Sequence, residues 1–186
     1  MTDKRIVSQS WFIASAVVLL VALDQALKLY IRTHYTLGEA HEILPFFQLC
    51  FVENNGMAFG IQWLPKWFLT AFRIIMVGVL GWYIHMLLKR GARSSYLTMI
   101  TLITAGALGN IIDCVFYGKL FGYETWFYGK VVDMLYFPLI HNAAGDTLFF
   151  RPVFNLADSY ITIAVFAIIL FFRKDLNDSL ESSATA

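Results

Sequence analysis

The sequence contains few charged residues and few cysteines. Asp, Glu, Lys and Arg make up 15% of its 186 residues, whereas about a quarter is usual in soluble domains. The net charge is only +1, so the charge balance gives no reason to expect a nucleic-acid partner. The two cysteines, Cys50 and Cys114, are too few for a disulfide framework and form no CxxC pair. Cys114 lies within an apolar run, where we expect a small buried residue.

Long apolar runs make up most of the chain. Hydrophobic residues form 59% of it, and its mean hydropathy is +0.64. A helix needs roughly 20 residues to cross a bilayer, and four runs are long enough: residues 11–31, 67–88, 96–117 and 153–172. The first run continues into the charged segment DQALK with no small-residue cleavage site, so we interpret it as a retained span. The sequence therefore predicts an all-α membrane protein with four transmembrane helices.

Basic residues indicate how these spans are oriented. They occur before the first span, between the second and third, and after the fourth, at positions 4–5, 89–93 and 173–174. The positive-inside rule therefore places both termini in the cytoplasm. It leaves the two longer connections, at about residues 33–66 and 118–152, on the outer side.

Each outer connection has its own predicted structure. In the first, apolar runs flank Asn55 and Gly56, a strong hairpin signal that predicts a small extracytoplasmic β element. In the second, aromatic residues between positions 123 and 137 are typical of a membrane interface and predict a lid-like connection. We expect residues 1–174 to form a single four-helix transmembrane domain and residues 175–186 to form a disordered polar tail.

Polar residues within the apolar segments collect near the outer face. The predicted topology puts carboxylates or amides at one depth in four segments: Asp24 and Lys28 in span one, Asn110 and Asp113 in span three, Asp133 in the outer connection, and Asn155 and Asp158 in span four. The residues of span four lie within its first two turns, roughly 8 Å deep at 1.5 Å per residue. This clustering predicts a polar site near the outer face of the membrane.

Some of these residues have a simple structural interpretation. Asp24 and Lys28 are four residues apart and can form an ion pair on one helix face. Asn110 and Asp113 follow the small-residue segment GALG and can supply hydrogen bonds between helices. Asp158 has no basic residue three or four positions away on its own helix. An intramembrane acid of this kind is a functional-site candidate.

The residue types present favour carboxylate chemistry over other hydrolytic mechanisms. The four histidines are scattered without an HExxH motif, and no GxSxG motif or Ser-Lys dyad occurs, so we expect neither a metal nor a cofactor. Two carboxylates held close together share one proton, so one can accept a proton from water while the other donates, as in aspartyl proteases. Two other classes remain open. One is a transporter or channel that uses Asp24, Asp113 and Asp158 as an ion relay, and the other is a non-catalytic lipid- or peptide-binding protein.

Five motifs occur in the order found in one family: DQALK (24–28), ENNGMAFG (53–60), GALGNIID (106–113), VVDMLYF (131–137) and FNLADS (154–159). On these motifs the chain resembles the bacterial lipoprotein signal peptidases, or signal peptidase II. The resemblance implies a monomeric aspartyl endopeptidase of the bacterial inner membrane, with its active site near the periplasmic face. It implies prolipoprotein substrates whose lipobox cysteine carries a diacylglyceryl group, with cleavage just before that cysteine. Membrane lipids and globomycin-like peptide inhibitors are the other implied partners.

The resemblance also assigns roles to residues. Asp133 and Asp158 match the two catalytic aspartates. Other matched positions support the site, bind substrate or form a structural polar pair: Asn54, Gly56, Gly109, Asn110, Asp113 and Asn155, and the pair Asp24 and Lys28. Cys114 departs from the family, because an arginine usually follows the GN-x-x-D motif. If that arginine contacts substrate or lipid, we expect either that Arg73 or Lys119 replaces it or that the contact is absent.

Overall fold

The computed structural model describes residues 3–55, 65–141, 147–149 and 152–184. Gly56, one of the predicted site residues, lies outside the described residues. The helices are α1 (Asp3–His34), α2 (Lys66–Arg90), α3 (Ser94–Ile112), α4 (Gly118–Leu120), α5 (Leu156–Phe171) and α6 (Arg173–Ala184). The strands are β1 (Ala40–Leu44), β2 (Phe47–Asn54), β3 (Val131–Tyr136), β4 (Ile140–His141) and β5 (Thr147–Phe149). α3 is followed directly by one π-helical turn, Asp113–Tyr117, a rare element that often occurs at functional sites.

Within the described residues, three helical segments are long and apolar enough to cross a bilayer: Ile6–His34, Lys66–Arg90 and Ser94–Leu120. α5 has 16 residues, about 24 Å at 1.5 Å per residue, and a bend of 85° separates it from α6. Large apolar side chains are exposed on α1, including Trp11 and Phe12, as expected of a helix that faces lipid. The predicted helical membrane protein is thus present in its main features. The fourth span and the cytoplasmic position of the termini stay predictions.

Three antiparallel strands form the main sheet, in the order β1–β2–β3, while β4 and β5 form a separate pair. The hairpin of β1 and β2 turns between Leu44 and Phe47. β2 then pairs with β3, which is distant in sequence, and Val52 lies opposite Asp133. The small predicted β element is present, and Asn55 of the hairpin signal directly follows the end of β2.

The chain divides into two compact units. The helical unit consists of Met1–Ala22, Phe72–Leu108 and Ala157–Ala186. Its buried core contains Ile84, Leu87, Leu88, Tyr96, Leu97, Ile100, Ile168 and Phe172. In the same unit a Cβ on Gly106 would collide with the Ala157 carbonyl oxygen and, at 2.7 Å, with Ile161. The missing side chain therefore lets α3 and α5 pack closely, as small residues do in membrane helices.

Helix α6 differs from the disordered tail expected beyond residue 174. Its Ser179 is buried, and the Ser179 Oγ and Tyr83 hydroxyl oxygen lie 2.6 Å apart. Arg90 Nη1 donates to the Ser179 carbonyl oxygen at 3.1 Å. These contacts join α6 to α2, and because they are long-range the composition of the tail did not indicate them.

The mixed unit consists of Leu23–Ala71 and Gly109–Leu156 and contains the main sheet. Its buried core is formed by Ile31, Phe51, Tyr117, Val132 and Met134. Apolar side chains from the end of α1, from β2, from the π-helical turn and from β3 thus meet in one cluster. This core fixes the sheet against the ends of the helices, which is where the polar residues of the candidate site lie.

Candidate active site

Asp133 lies in β3 with its carboxylate held by two amides. The residue is only 2% exposed. Asn54 Nδ2 donates to Oδ2 at 3.1 Å, and Asn155 Nδ2 donates to Oδ1 at 2.7 Å. An amide donor directs a carboxylate oxygen without adding a formal charge. Both oxygens of Asp133 are therefore oriented by neutral groups.

Backbone pairing with β3 brings both amides to this carboxylate. Asn54 is two residues beyond the position opposite Asp133, so the two side chains project from the same face of the sheet. Leu135 N–H donates to the Phe154 carbonyl at 2.7 Å, and Phe154 N–H donates back to Leu135 at 3.1 Å. Asn155 follows directly and precedes the first residue of α5. The position of each amide is therefore set by the strand that carries Asp133.

Asn110 connects Asn155 to the intramembrane lysine. Its Oδ1 accepts from Asn155 Nδ2 at 3.1 Å and from Lys28 Nζ at 2.9 Å. Lys28 is fully buried, and its Nζ lies 2.9 Å from Asp24 Oδ2 and 2.9 Å from Asp113 Oδ2. The i, i+4 pair expected from the sequence is thus part of a larger network. All three N–H groups of the ammonium have an acceptor within reach.

Asp113 begins the π-helical turn and is fully buried. Its Oδ1 accepts from Gln25 Nε2 at 2.8 Å, and its Oδ2 also accepts from the Val132 N–H at 3.2 Å. The Tyr117 hydroxyl donates to Gln25 Oε1 at 3.0 Å. Gln25 lies inside the DQALK motif but was assigned no role from the sequence. Its polar side chain within an apolar span is the signal that identifies it.

The mixed unit therefore brings most of the predicted site residues into one continuous chain of hydrogen bonds and ion pairs: Asp24, Lys28, Asn54, Asn110, Asp113, Asp133 and Asn155. Asp158 is partly buried in the first turn of α5 and belongs to the helical unit. It follows Asn155 by three residues along the chain. The amino-terminal turn of a helix favours a negatively charged side chain.

A second charged cluster lies in the mixed unit and was not predicted. Glu53, next to Asn54 in β2, forms ion pairs with Arg32 at 2.6 Å and with Lys130 at 2.7 Å. Burial raises the pKa of Glu53, but hydrogen bonds and charges from Lys130 and Arg32 outweigh burial and hold the pKa below its ordinary value. Glu53 is therefore ionised at neutral pH.

Cys114, which stands where the family usually has arginine, is 1% exposed in the π-helical turn. Lys119 is exposed on α4, and replacement of the arginine by Arg73 or Lys119 stays a prediction.

The other cysteine, Cys50, donates through Sγ to the Met134 carbonyl at 3.5 Å. Burial, and to a smaller extent the charge of Asp133, raises the pKa of Cys50 to about 11. The thiol is therefore protonated at neutral pH and is a poor nucleophile.

Among the described residues, no three or more His, Cys, Asp or Glu side chains are grouped so that they could hold a metal ion.

Comparison with known proteins places this geometry in context. The family model described as signal peptidase (SPase) II matches residues 16–173. The lipoprotein signal peptidase of Porphyromonas gingivalis is 39% identical, with 95% of this chain and 89% of the relative covered. That of Amoebophilus asiaticus is 36% identical, with coverages of 92% and 81%. A solved structure described as a bacterial membrane enzyme, determined by the in meso method at 2.3 Å resolution, is 31% identical with a TM-score of 0.68 and 90% of both chains covered.

Proposed function

The chain belongs to the signal peptidase II family, and we propose that it removes signal peptides from prolipoproteins as an aspartyl peptidase whose catalytic pair is Asp133 and Asp158. Family membership supports a peptidase, and the family together with the apolar helices supports a multi-pass protein of the inner membrane. The aspartyl mechanism and the cleavage position are the further steps of the proposal.

The arrangement around Asp133 is the observation that carries the proposal. A buried carboxylate held through both oxygens by the amides of Asn54 and Asn155 has a defined direction for proton transfer. Asp158 follows Asn155 by three residues, in the first turn of α5. The segment that orients one aspartate is thus continuous with the segment that carries the other.

Two aspartates in these roles cleave a peptide without a covalent intermediate. The ionised carboxylate removes a proton from water, and the resulting hydroxide equivalent attacks the scissile carbonyl carbon. The protonated carboxyl donates to the carbonyl oxygen, and a proton is delivered to the leaving amine as the C–N bond breaks. Because the carboxyl groups share one proton, they titrate as a pair and have apparent pKa values in common.

The proposed substrate is a prolipoprotein with a diacylglyceryl group on its lipobox cysteine, cleaved just before that cysteine. The acyl chains of such a substrate lie in the bilayer, and the peptide bond lies near the membrane surface. With both termini in the cytoplasm, the first turn of α5 lies near the periplasmic face. The catalytic pair then meets the bond without extraction of the lipid. Globomycin-like peptides are expected to compete for the same site, and a monomer is sufficient for this chemistry.

The remaining predicted residues support this site in the proposal. Lys28 forms ion pairs with both Asp24 and Asp113. Asn110 transmits this arrangement to Asn155 through its shared oxygen. Residues 1–174 then act as one domain, with residues 175–186 as an accessory tail.

The connection after α4 is proposed to cover the bound substrate. Trp126 is 51% exposed, and its ring contacts Phe116 edge-on at 5.7 Å. An interfacial aromatic segment that closes over the site restricts water. We expect the fluorescence of an environment-sensitive probe at position 126 to shift when the lipidated substrate binds. An unchanged signal at saturating substrate contradicts the lid.

The central experiment measures cleavage of a diacylglyceryl-modified prolipoprotein by the purified protein in lipid. Asp133→Asn and Asp158→Asn are compared with Asp178→Asn, a control at an exposed position on α6. We expect the parent and the control to cut before the lipidated cysteine, and each dyad variant to lose at least about 10²-fold in rate. Helical content and thermal unfolding establish that the variants are folded. Near-parental cleavage by either folded variant shows that the aspartate concerned is not catalytic.

A further inference from the structure

We propose that Glu53, held between Arg32 and Lys130, is a positioning residue that fixes the register of β2 on β3 and thereby keeps the Asn54 amide on Asp133. The inference rests on the proposed function, because it gives Glu53 a role through the carboxylate assigned there to catalysis. It adds a group that touches neither substrate nor the reacting atoms.

The geometry of this cluster is well defined. Arg32 Nη1 lies 2.6 Å from Glu53 Oε1, and Lys130 Nζ lies 2.7 Å from Glu53 Oε2. The side chains of Glu53 and Arg32 are 11% and 14% exposed, whereas that of Lys130 is 35% exposed. Each carboxylate oxygen thus has its own cation. One cation comes from the last turns of α1, and the other comes from the residue before β3.

Strand alternation places the cluster on the face opposite the candidate site. Asn54 and Asp133 project from one face, and Glu53, one residue earlier in β2, projects from the other. Glu53 is paired with Val132 in the register, so Lys130 is its diagonal neighbour, as Asp133 is for Asn54. The same register is thus held on one face by Asn54 with Asp133 and on the other by Glu53 with Lys130.

The end of β2, from Val52 to Asn54, needs contacts of its own to keep its register on β3. The register of β2 on β3 shifts between Leu49 and Val52. The regular pairing up to Leu49 therefore does not fix the register of the three pairs from Val52 to Asn54, which follow the shift. A slip of one residue would move Asn54 to the other face and away from Asp133. A charge pair beyond the irregularity opposes such a slip.

Aromatic contacts hold the two cations in place. The Arg32 guanidinium lies 4.1 Å from the ring centre of Phe121 and 5.0 Å from that of Tyr123. The Lys130 backbone N–H donates to the Tyr123 hydroxyl at 2.7 Å. A guanidinium packed on aromatic rings gains cation–π attraction and loses rotamer freedom before it meets the carboxylate. The cluster is therefore suited to hold a strand and not only to neutralise a charge.

The test compares Glu53→Gln with Glu42→Gln, which changes an exposed glutamate of β1 in the same sheet. With the lipidated prolipoprotein, we expect Glu53→Gln to lower kcat by about 10-fold, with KM within about twofold of the parent, because misplacement of a positioned group impairs the chemical step. Glu42→Gln should retain parental kcat. Lys130→Met leaves the Arg32 pair in place and should lower kcat by a smaller factor. It also serves as the readout if Glu53→Gln does not fold.

A double-mutant cycle with Asn54→Leu separates positioning from general stability. If Glu53 acts through Asn54, Glu53→Gln should cause no further loss of kcat in the Asn54→Leu background. Losses that multiply overturn the proposal, as does parental kcat in Glu53→Gln. Hydrogen exchange of the backbone at residues 52–54 and 131–133 gives a readout independent of cleavage. Exchange there should rise in Glu53→Gln whether or not Asp133 is catalytic. Full activity of Asp133→Asn would instead contradict the aspartyl mechanism and leave the role of Glu53 in strand register intact.

Discussion

Asp113 and Asp133 are both buried carboxylates of the mixed unit, and different kinds of side chain donate to them. Asp113 lies 2.9 Å from the ammonium of Lys28 and also accepts from Gln25 and from a backbone N–H. Asp133 accepts from the side-chain amides of Asn54 and Asn155. Burial of an ion is tolerated when an opposite charge is within contact. An amide instead orients the carboxylate and adds no charge.

The comparison shows how one network serves two purposes. At the Lys28 end, ion pairing offsets part of the cost of burying three ionisable side chains: Asp24, Lys28 and Asp113. At the Asp133 end, two amide donors orient a carboxylate for proton transfer. Asn110 belongs to both ends, because its oxygen accepts from Lys28 and from Asn155. Variants at the two ends should therefore separate stability from activity.

Lys28→Met should have the largest effect. It removes the ammonium from between Asp24 and Asp113 and leaves two fully buried carboxylates without their ion-pair partner. Breaking a buried pair in this way costs about 3–5 kcal/mol. We expect a large fall in thermal stability in detergent and little folded protein. Lys89→Met, at an exposed position at the end of α2, is the matched control. Parental stability of Lys28→Met shows that the network does not stabilise the fold.

Asn155→Leu should reduce the cleavage rate more than it reduces stability. It removes the 2.7 Å hydrogen bond to Asp133 and the 3.1 Å bond to Asn110 with little change in volume. We expect the cleavage rate of the folded protein to fall by about 10²-fold, with a stability loss of only about 1–3 kcal/mol for the unsatisfied acceptors. Asn177→Leu, exposed on α6, should leave both properties unchanged. Full activity of Asn155→Leu indicates that Asp133 does not depend on this amide.

The sequence predicts some contacts of Lys28 and not others. The spacing of Asp24 and Lys28 is local, so helix periodicity is sufficient to place them together. The order of five motifs was sufficient to identify the family, which the family model and the relatives confirm. Asp113, the second carboxylate that pairs with Lys28, lies 85 positions further along the chain, and no local sequence pattern pairs the two residues.

The Glu53 cluster and the π-helical turn were missed for a related reason. Glu53 lies within the ENNGMAFG motif, but its partners come from two other segments. The sheet register brings Lys130 next to it, whereas Arg32 reaches it from the end of α1. The π-helical turn directly follows α3, and the sequence carries no proline or glycine between them to mark the change. The backbone N–H groups of Phe127 and Gly129 donate to the carbonyls of Val115 and Cys114 in this turn. Side-chain periodicity does not record such backbone contacts.

Gly129→Ala should have a smaller effect and should act mainly on the Asp113 end. A Cβ at Gly129 would collide with the Asp113 carbonyl oxygen and would lie 3.0 Å from the Gly118 nitrogen. Both neighbours are backbone atoms, so relief requires the loop or the π-helical turn to move, at a cost of about 1–3 kcal/mol. Gly78→Ala has open space around the new Cβ and should be neutral or stabilising by up to about 1 kcal/mol. Thermal unfolding of the two variants compares them directly, and equal shifts contradict the predicted close approach.

The smallest expected effect is the pH dependence contributed by Glu53. Its native pKa lies below the ordinary value of 4.5, because the cations Lys130 and Arg32 outweigh the opposing effect of burial. A lowered native pKa gives stability that is fully present above about pH 4.5 and is lost as the pH falls through the native value. The parent should therefore exceed Glu53→Gln in stability by about 1 kcal/mol or less at neutral pH. This difference should shrink on acidification below about pH 4. Thermal unfolding of both proteins across this range tests the sign. A difference that grows on acidification shows that the surroundings of Glu53 stabilise its protonated form. In that case the ion pairs are not what fixes the strand register next to Asp133.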